Sequence, residues 1–316
     1  LGRFGMGMKT ASFSLGKQLL VITKQKDEIN NAEWNLEYVE NEDKWEILIH
    51  SDEKIDTYIK SKTDKIEFQN WDEGTLISLS MLDKLIDENN MQKSKVKFYK
   101  TVEKVKKHLA MIFHRFIEED NLQIYVNKNL LEAWNPFIRQ NPATMELACE
   151  ELFDGKTIVS IEPYILPHKT KFEDEEAFKK AGGAKDWLAH QGFYVYRNRR
   201  LIVYGTWFGK FKKEPAYNLA RIKLDMSSES DFEWGIDIKK SKATLPVSIE
   251  ESVIQIAYLA IEKSVAVYNS RGVYNRRNTG NNTSLKYVWE QRKNSSGNYM
   301  FYLNKKHPML IKLMQE

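Results

Sequence analysis

The sequence has almost no cysteine and no long apolar run. A single cysteine, Cys149, among 316 residues excludes an internal disulfide framework and is typical of proteins in a reducing cytoplasm. No window approaches the ~18 uninterrupted apolar residues of a membrane-spanning helix, and the first residues lack the charged end and apolar core of a signal peptide. The six histidines lack the spacing of metal ligands. We therefore expect a cytoplasmic protein with no membrane partner and no metal site of its own.

The net charge and the length of the chain are compatible with many kinds of globular protein. The net charge of +4 is too small to identify a partner, and 42% hydrophobic with 29% charged residues is ordinary for a globular protein. A chain of 316 residues is long enough for two domains with separate cores. The first residue is Leu1 rather than Met, and it stands directly before a glycine-rich motif. We therefore expect a fragment of a longer protein.

The opening segment, residues 2–12, reads GRFGMGMKTAS and combines three glycines with a lysine. Glycines at this spacing let the backbone turn tightly and direct its amides to one place, and a following helix adds its positive end. Such a segment can hold an anion, with Lys9 one turn into the helix adding charge. The spacing fits neither the P-loop nor the dinucleotide pattern, and a plain glycine-rich surface turn is the alternative.

Periodicity predicts two groups of strands separated by a long helix. Alternating runs predict strands at 19–24, 33–39, 45–50 and 74–79, forming an antiparallel sheet. Ser94 is the expected N-cap of a helix that runs to about residue 117. A second sheet is expected from residues 157–162, 192–196, 200–204 and 220–225, with Asn198 and Arg199 as a two-residue turn. Pro246 and a capping box of Ser248 and Glu251 predict the start of another long helix.

The opening motif resembles the ATP-lid motif of the GHKL superfamily, which includes gyrase B, MutL, the MORC proteins and the ninety-kilodalton heat-shock chaperones. A phenylalanine between the first two glycines, and a lysine with a small residue after the third, is nearest the MORC-like and heat-shock-like branches. In that superfamily the lid amides surround the triphosphate of ATP. The resemblance therefore implies nucleotide contacts from a set of lid residues: Gly2, Phe4, Gly5, Met6, Gly7 and Lys9.

Two further segments extend the resemblance. Gly74 and Thr75 resemble the last pocket motif, whose threonine helps to hold adenine. Residues 192–202 resemble the strand-turn-strand that opens the transducer or middle domain, and residues 234–243 resemble the region that sends a cation to the γ-phosphate. Lys240 is the expected catalytic transducer lysine, with Lys239 and Lys242 as alternatives one register away. The alternative for this region is a solvated lysine cluster on a loop.

The resemblance also predicts what these residues lack. The catalytic glutamate and the magnesium-holding asparagine of the superfamily lie on a helix that precedes the lid. Without them phosphoryl transfer has neither a base nor a metal ligand. We therefore expect a full-length ATPase that uses ATP with Mg²⁺ as a conformational switch or clamp and that forms a homodimer. We expect this fragment to be inactive and to have no bound cofactor.

A different function remains open, namely a non-catalytic nucleic-acid-binding or protein-interaction module. Residues 193–213 hold six basic residues, no acidic ones and seven aromatics, and residues 264–297 are also basic. Surfaces of this composition can follow a phosphate backbone and stack bases of DNA or RNA. The candidate contacts are the arginines of these two segments: Arg197, Arg199, Arg200, Arg276 and Arg277. Aromatics at alternating strand positions are, however, also typical of a core.

The fold class expected is α+β. Residues 1–93 would be the C-terminal half of a GHKL (Bergerat) α/β sandwich, from the lid onward. Residues 94–268 would form a transducer-like α/β domain, similar to the ribosomal-protein fold. Residues 269–316 would be a linker and a C-terminal hairpin that begin a further region.

Overall fold

The computed structural model describes residues 7–26, 28–63, 68–236, 243–270, 289–293 and 299–303. The chain divides into two compact units, Leu1–Lys104 and Val105–Glu316, so the division falls within a long helix. Among the residues described, helices and sheets occur in both units, which agrees with the α+β class. No helix in this part of the chain combines the length and the apolar character that crossing a bilayer requires.

The N-terminal unit is built on a three-stranded antiparallel sheet with strand order β2-β1-β3. In chain order its elements are α1 (Gly7–Phe13), β1 (Gln18–Gln25), β2 (Glu28–Asn35), α2 (Leu36–Glu42), α3 (Asp52–Thr63), β3 (Glu73–Ser80) and the first part of α4 (Met91–Ile112). The expected antiparallel sheet and the strands around residues 19–24 and 74–79 are thus confirmed. Val21, Ile22 and neighbouring branched residues favour the extended conformation of β1.

The two faces of this sheet differ, because side chains alternate along each strand. One face carries Leu20 and Ile22 and packs against Ile55 and Ile59 of α3 and against Phe68. We call it the α3 face. The opposite face carries Leu19, Val21 and Thr23 of β1 and their partners on the two neighbouring strands. We call it the open face because Ile77 on β3 is exposed there. Burial of the α3 face holds the sheet in register, since a slip by one residue would exchange the faces.

The predicted strand at 33–39 is wrong beyond Asn35. The side chain of Asn35 accepts hydrogen bonds from the backbone amides of Glu37 (3.0 Å) and Tyr38 (3.2 Å), so it caps α2 and ends β2. The alternation of aromatic and apolar residues continued past this cap and imitated a strand. Residues 45–50 form no strand either, and a single bridge between Leu48 and Glu33 joins them to the sheet. A cap therefore overrode the period-two pattern.

The long central helix begins earlier and ends earlier than predicted. A short 3₁₀ turn, Glu88–Asn90, is capped by Asp87 and leads into α4 at Met91. Ser94 lies inside the helix, where its hydroxyl accepts from the Asp87 amide and donates to the Asp87 carbonyl, so its expected role as the N-cap is wrong. Phe113 leaves helical geometry and separates α4 from α5 (His114–Glu119).

The C-terminal unit contains a six-stranded mixed sheet with the order β10-β9-β11-β8-β6, and β7 also pairs with β8. After α5 its elements are β4 (Tyr125–Val126), β5 (Asn129–Leu130), β6 (Met145–Glu146), β7 (Glu150–Phe153), β8 (Ile158–Ile165), α6 (Glu175–Ala181), β9 (Gly192–Arg197), β10 (Arg200–Thr206), β11 (Ala220–Met226), α7 (Val247–Asn269), β12 (Trp289–Lys293) and β13 (Tyr299–Leu303). Strands β9 and β11 run parallel, whereas the other pairs are antiparallel.

The main core of this unit lies between the sheet and α7. Val253, Ile256 and Ala260 of α7 are buried in the same cluster as Ile161 of β8 and Ile222 of β11. The apolar residues of α7 recur every three or four positions, as expected for a helix with one buried face. Burial of this stripe, rather than helix propensity alone, stabilises α7 in place.

The start of α7 at Val247, directly after Pro246, confirms the predicted helix but not its capping box. No side chain caps the first turn. The hydroxyl of Ser248 instead donates to the carbonyl oxygen of Asp154 at 2.8 Å, a residue 94 positions earlier. A tertiary hydrogen bond has therefore replaced the local one that the sequence predicts.

Candidate functional site

The glycine segment leads into α1, of which Gly7 is the first residue. Gly2, Phe4, Gly5 and Met6 lie outside the described residues. Gly7 is exposed, and a β-carbon built on it would meet no atom of the described residues within 4 Å. Those residues therefore leave room for a bound molecule close to the Gly7 backbone.

Lys9 lies two residues further along α1 and is held over an aromatic ring. Its ammonium nitrogen is 5.0 Å from the ring centroid of Trp34 on β2, a cation–π geometry. Trp34 is buried and contacts Trp45 with ring centroids 4.6 Å apart. The buried indole keeps the Lys9 charge next to the sheet although the lysine itself is exposed.

Thr75 is exposed on β3 and stands opposite Thr23 of β1. Its neighbour Gly74 lies beneath Trp71, because a β-carbon at Gly74 would come within 2.8 Å of the Trp71 ring. Close packing against Trp71 therefore explains why the first residue of the Gly-Thr pair is a glycine. A larger residue at position 74 would displace Trp71 from the start of β3.

The strand registers place Lys9 and Thr75 at the same face of the sheet. Trp34, which holds Lys9, pairs with Leu19, and Thr75 pairs with Thr23. Leu19 and Thr23 are four residues apart on β1 and share the open face. At a rise of about 3.4 Å per residue they are about 14 Å apart along the strand. The open face therefore carries both Trp34, over which Lys9 lies, and Thr75.

A comparison of the sequence with protein families found one match in this region. Residues 1–72 match the family of histidine kinase-, DNA gyrase B- and HSP90-like ATPases. The match includes the glycine segment and Lys9 and ends three residues before Thr75. It supports a GHKL-type ATPase for the N-terminal unit, and the family implies binding of ATP, usually with Mg²⁺. A comparison with curated proteins found no match.

The residues whose chemistry suits ATP could contact its phosphates or its base rather than a metal ion. The backbone of Gly7, which no other described residue crowds, and the exposed residues Lys9 and Thr75 suit an anionic ligand with a polar ring. Within the described ranges no three His, Cys, Asp or Glu side chains are grouped so that they could hold a metal ion. Mg²⁺ bound with a nucleotide takes most of its ligands from phosphates and water. No residue is therefore assigned to the metal here.

The expected transducer lysine Lys240 and its alternatives Lys239 and Lys242 lie outside the described residues. The structure does describe both flanks of that segment. The amide of Thr244 donates to the carbonyl oxygen of Trp234 at 2.8 Å, and the Trp234 indole donates to Asp154 at 3.0 Å. The two ends of the lysine segment are therefore tied to each other and to the core.

The arginines of the β9–β10 hairpin are engaged within the C-terminal unit. Arg197 makes a bidentate ion pair with Asp231, including an Nη2–Oδ2 distance of 2.7 Å, and this hydrogen bond raises the pKa of Arg197. Arg199 pairs with Glu119 at 2.6 Å and Asp120 at 2.9 Å. These charges are neutralised in place and offer less to a phosphate than free cations would.

The remaining three candidate arginines differ from these. Arg200 lies over the ring of Phe113, 5.3 Å from its centroid. Arg276 and Arg277 lie outside the described residues. The aromatic side chains of β9 are buried in the core, as Phe193, Tyr194 and Tyr196 show. The nucleic-acid contacts expected in this hairpin therefore stay a prediction, without a free basic and aromatic surface at β9 to support it.

A buried polar network that the sequence did not suggest lies at the end of β2. Glu33 accepts hydrogen bonds from Gln18 (2.7 Å) and His50 (2.7 Å), and Lys54 contacts the other ring nitrogen of His50 at 3.0 Å. Since an ammonium can only donate, Nδ1 of His50 accepts and Nε2 carries the proton given to Glu33. Burial alone would raise the pKa of Glu33, but the hydrogen bonds from Gln18 and His50 outweigh it and lower that pKa.

A second unanticipated feature is Arg221, which is fully buried in the C-terminal unit. Its guanidinium donates to the carbonyl oxygen of Pro136 and lies over Trp187 and Trp134, 5.2 and 5.4 Å from their centroids. Burial, and then the nearby Arg221 charge, lower the pKa of His190 to about 3, so His190 is neutral at physiological pH. Aromatic faces and carbonyl oxygens here take the place of a carboxylate around a buried cation.

Proposed function

We propose that the open face of the N-terminal unit forms part of the ATP site of a GHKL-type ATPase that works as an ATP-driven switch or clamp, and that this chain by itself keeps only weak affinity for ATP. The match of residues 1–72 to that ATPase family carries the proposal. The strand register supports it, because Trp34, over which Lys9 lies, and Thr75 are on the same face of the sheet. In this proposal Gly7 and Lys9 contact the phosphates and Thr75 contacts the base.

The finer parts of the proposal concern the C-terminal unit. Its mixed sheet, with α7 packed on one side, would act as the transducer, and Lys240 would stabilise charge on the transferred phosphate. The tied flanks of the lysine segment, through Trp234 and Thr244, support a defined position for such a cation. The nearest branches would be the MORC-like and heat-shock-like ones.

A titration with trinitrophenyl-ATP in the presence of Mg²⁺ tests the proposal. We expect fluorescence enhancement that excess ATP reverses. The Lys9→Ala variant should bind about 10-fold more weakly, because a hydrogen bond to a charged group contributes ~1.5–3 kcal/mol. Lys60→Ala serves as the matched control, since Lys60 is an exposed lysine on α3, which packs against the opposite face.

Circular dichroism of each variant separates binding from folding. If ATP displaces no probe at millimolar concentration, the proposal is wrong for these residues. If Lys9→Ala and Lys60→Ala bind the probe as the parent does, nucleotide binding stands but the assignment of Lys9 fails.

A further inference from the structure

Residues 45–50 lie along β2 and are bonded to it from one side, and we call them the edge segment. The Leu48 amide donates to the Glu33 carbonyl oxygen at 2.9 Å, and the Glu33 amide donates back to Leu48 at 2.8 Å. The backbone amide and carbonyl of His50 bond the side chain of Asn31, also on β2. The edge segment therefore occupies the place that a fourth strand of this sheet would take.

The outer side of the edge segment has unused backbone hydrogen-bonding groups. In an extended chain the backbone groups of successive residues point to opposite sides. Since Leu48 and His50 point toward β2, Ile47 and Ile49 point away from it. Within the described part of the chain, neither of these two isoleucines makes a backbone hydrogen bond. A row of free donors and acceptors like this one can pair with another strand.

The side chains of the edge segment are apolar although they are exposed. Trp45, Ile47 and Ile49 alternate along the chain and share one side, where they are 72, 48 and 69% exposed. Exposed edges of sheets are commonly protected by a lysine, a proline or a bulge. None of residues 45–50 is a lysine or a proline. This edge is therefore suited to being covered by a partner strand.

The charges around the edge segment fit a second copy of the same segment. Two copies related by a two-fold axis run antiparallel, and pairing Ile47 with Ile49 of the second copy uses the outward backbone groups of both. This register places Glu46 of each copy opposite His50 of the other. The ammonium of Lys54 lies 3.0 Å from the His50 ring, within reach of that glutamate. Opposite charges therefore face each other twice, once on each side of the axis.

A register shifted by two residues is less favourable. It would pair Ile47 with Ile47 of the second copy and place the two Glu46 side chains diagonally across from each other, where like charges repel. The charges therefore favour the first register. Two-fold pairing also uses the outer side of both edge segments, so the assembly ends at two copies.

We propose that two copies of this chain pair through their edge segments as an antiparallel two-fold dimer, so that the N-terminal sheet of one copy continues into that of the other. A six-residue edge is small beside the ~1,200–2,000 Å² buried in a stable interface, so we expect dimerisation at micromolar rather than nanomolar concentration. None of the pairing residues is placed in the nucleotide site. The dimer should therefore form without ATP, and the proposal does not depend on nucleotide binding.

Sedimentation velocity of the full 316-residue chain without nucleotide, from about 1 to 500 µM, tests the dimer. We expect the sedimentation coefficient to rise from that of a monomer to that of a dimer. Ile47→Lys puts a charge into the pairing edge and should weaken dimerisation at least about 10-fold. The matched control is Ile77→Lys, because Ile77 is 49% exposed but lies on β3 at the other edge of the sheet. It should dimerise as the parent does.

A charge exchange tests the register and the identity of the partner. Glu46→Lys and Lys54→Glu each place like charges opposite each other in their own dimers, so each variant alone should associate more weakly than the parent. An equimolar mixture of the two variants pairs opposite charges on both sides of the axis. The mixture should therefore dimerise at a concentration where each variant alone is monomeric. Circular dichroism checks that every variant is folded.

Three results would overturn the proposal. The parent chain could stay monomeric over the whole concentration range, Ile47→Lys could weaken the dimer no more than Ile77→Lys does, or the mixture of charge variants could stay monomeric. Species larger than a dimer that grow with concentration would also contradict it, since they would show head-to-tail pairing between different surfaces.

Discussion

At the scale of single residues, Glu33 organises a part of the N-terminal unit that has little apolar packing. Its carboxylate joins Gln18 on β1 to His50 beyond α2, and its backbone makes the bridge to Leu48. Asn31 adds two hydrogen bonds to the His50 backbone, at 2.8 and 3.0 Å. Residues 45–50, which expose Trp45 and Ile49, are therefore held to the sheet mainly by polar contacts.

The lowered pKa of Glu33 predicts how stability depends on pH. A carboxyl group whose pKa is lower in the folded state stabilises the protein above its unfolded pKa, and this contribution is lost as the pH falls through the folded pKa. Glu33→Gln should therefore lower the free energy of unfolding at pH 7, and the difference from the parent should shrink toward pH 3.

Urea unfolding of parent and variant at both pH values measures this difference. Glu40→Gln, at an exposed position of α2, is the control and should change the free energy of unfolding little at either pH. A Glu33→Gln effect of the same size at pH 7 and pH 3 would show that the carboxylate charge has no part in the stabilisation.

At the scale of elements, short polar side chains determine where strands turn and end. Asn198 and Arg199 have φ angles of 46° and 68°, and Asn127 and Lys128 have 50° and 66°. Both pairs are two-residue hairpin turns of the type with two positive φ values. Positive φ is costly for most residues, and asparagine tolerates it better than others do. The turn between β9 and β10 thus depends on the residue type at position 198.

Replacing Asn198 by valine should destabilise the C-terminal unit by about 2 kcal/mol, because a β-branched residue is strained at positive φ. The variant also loses the bond that Asn198 accepts from the Ser228 amide at 3.0 Å. Asn198→Gly loses that bond too but accepts positive φ freely, so it separates the two effects. Thermal unfolding of both variants measures them, and equal losses would show that backbone strain contributes nothing.

At the scale of the whole molecule, each unit has a core of its own among the described residues. Ile22 belongs to the cluster between the N-terminal sheet and α3, whereas Ile222 belongs to the cluster between the C-terminal sheet and α7. The division between units at residue 104 lies within α4, eleven residues after the boundary that the sequence predicts at 93. Helix α4 therefore contributes residues to both units.

Two cores predict that a cavity in one unit destabilises that unit more than the other. Ile22→Ala and Ile222→Ala each remove a fully buried side chain, at an expected cost of ~2–5 kcal/mol. Native-state hydrogen exchange read by mass spectrometry should show faster exchange in 18–80 for the first variant and in 158–226 for the second. Equal acceleration in both segments by either variant would show that the two units unfold together.

The sequence alone determined the features that depend on local chemistry. Strands β1, β3, β8, β9, β10 and β11, the helix α7 and the turn at Asn198 follow from alternation, from three-to-four-residue spacing and from turn residues, and each agrees with the structure to within a few positions. The glycine motif likewise pointed to the ATPase family that residues 1–72 match. The roles of Lys9 and Thr75 in nucleotide binding stay predictions from the same motifs.

Only the tertiary structure decided which polar groups find each other. Ser248 bonds Asp154 instead of capping its own helix, and Arg197 pairs with Asp231, 34 residues away. No periodicity predicts such pairs, because a buried donor or charge takes the acceptor that folding brings near, whatever its distance in sequence. The placement of Trp34, over which Lys9 lies, and of Thr75 on one face of the sheet depends on strand register, which is a property of the packed chain.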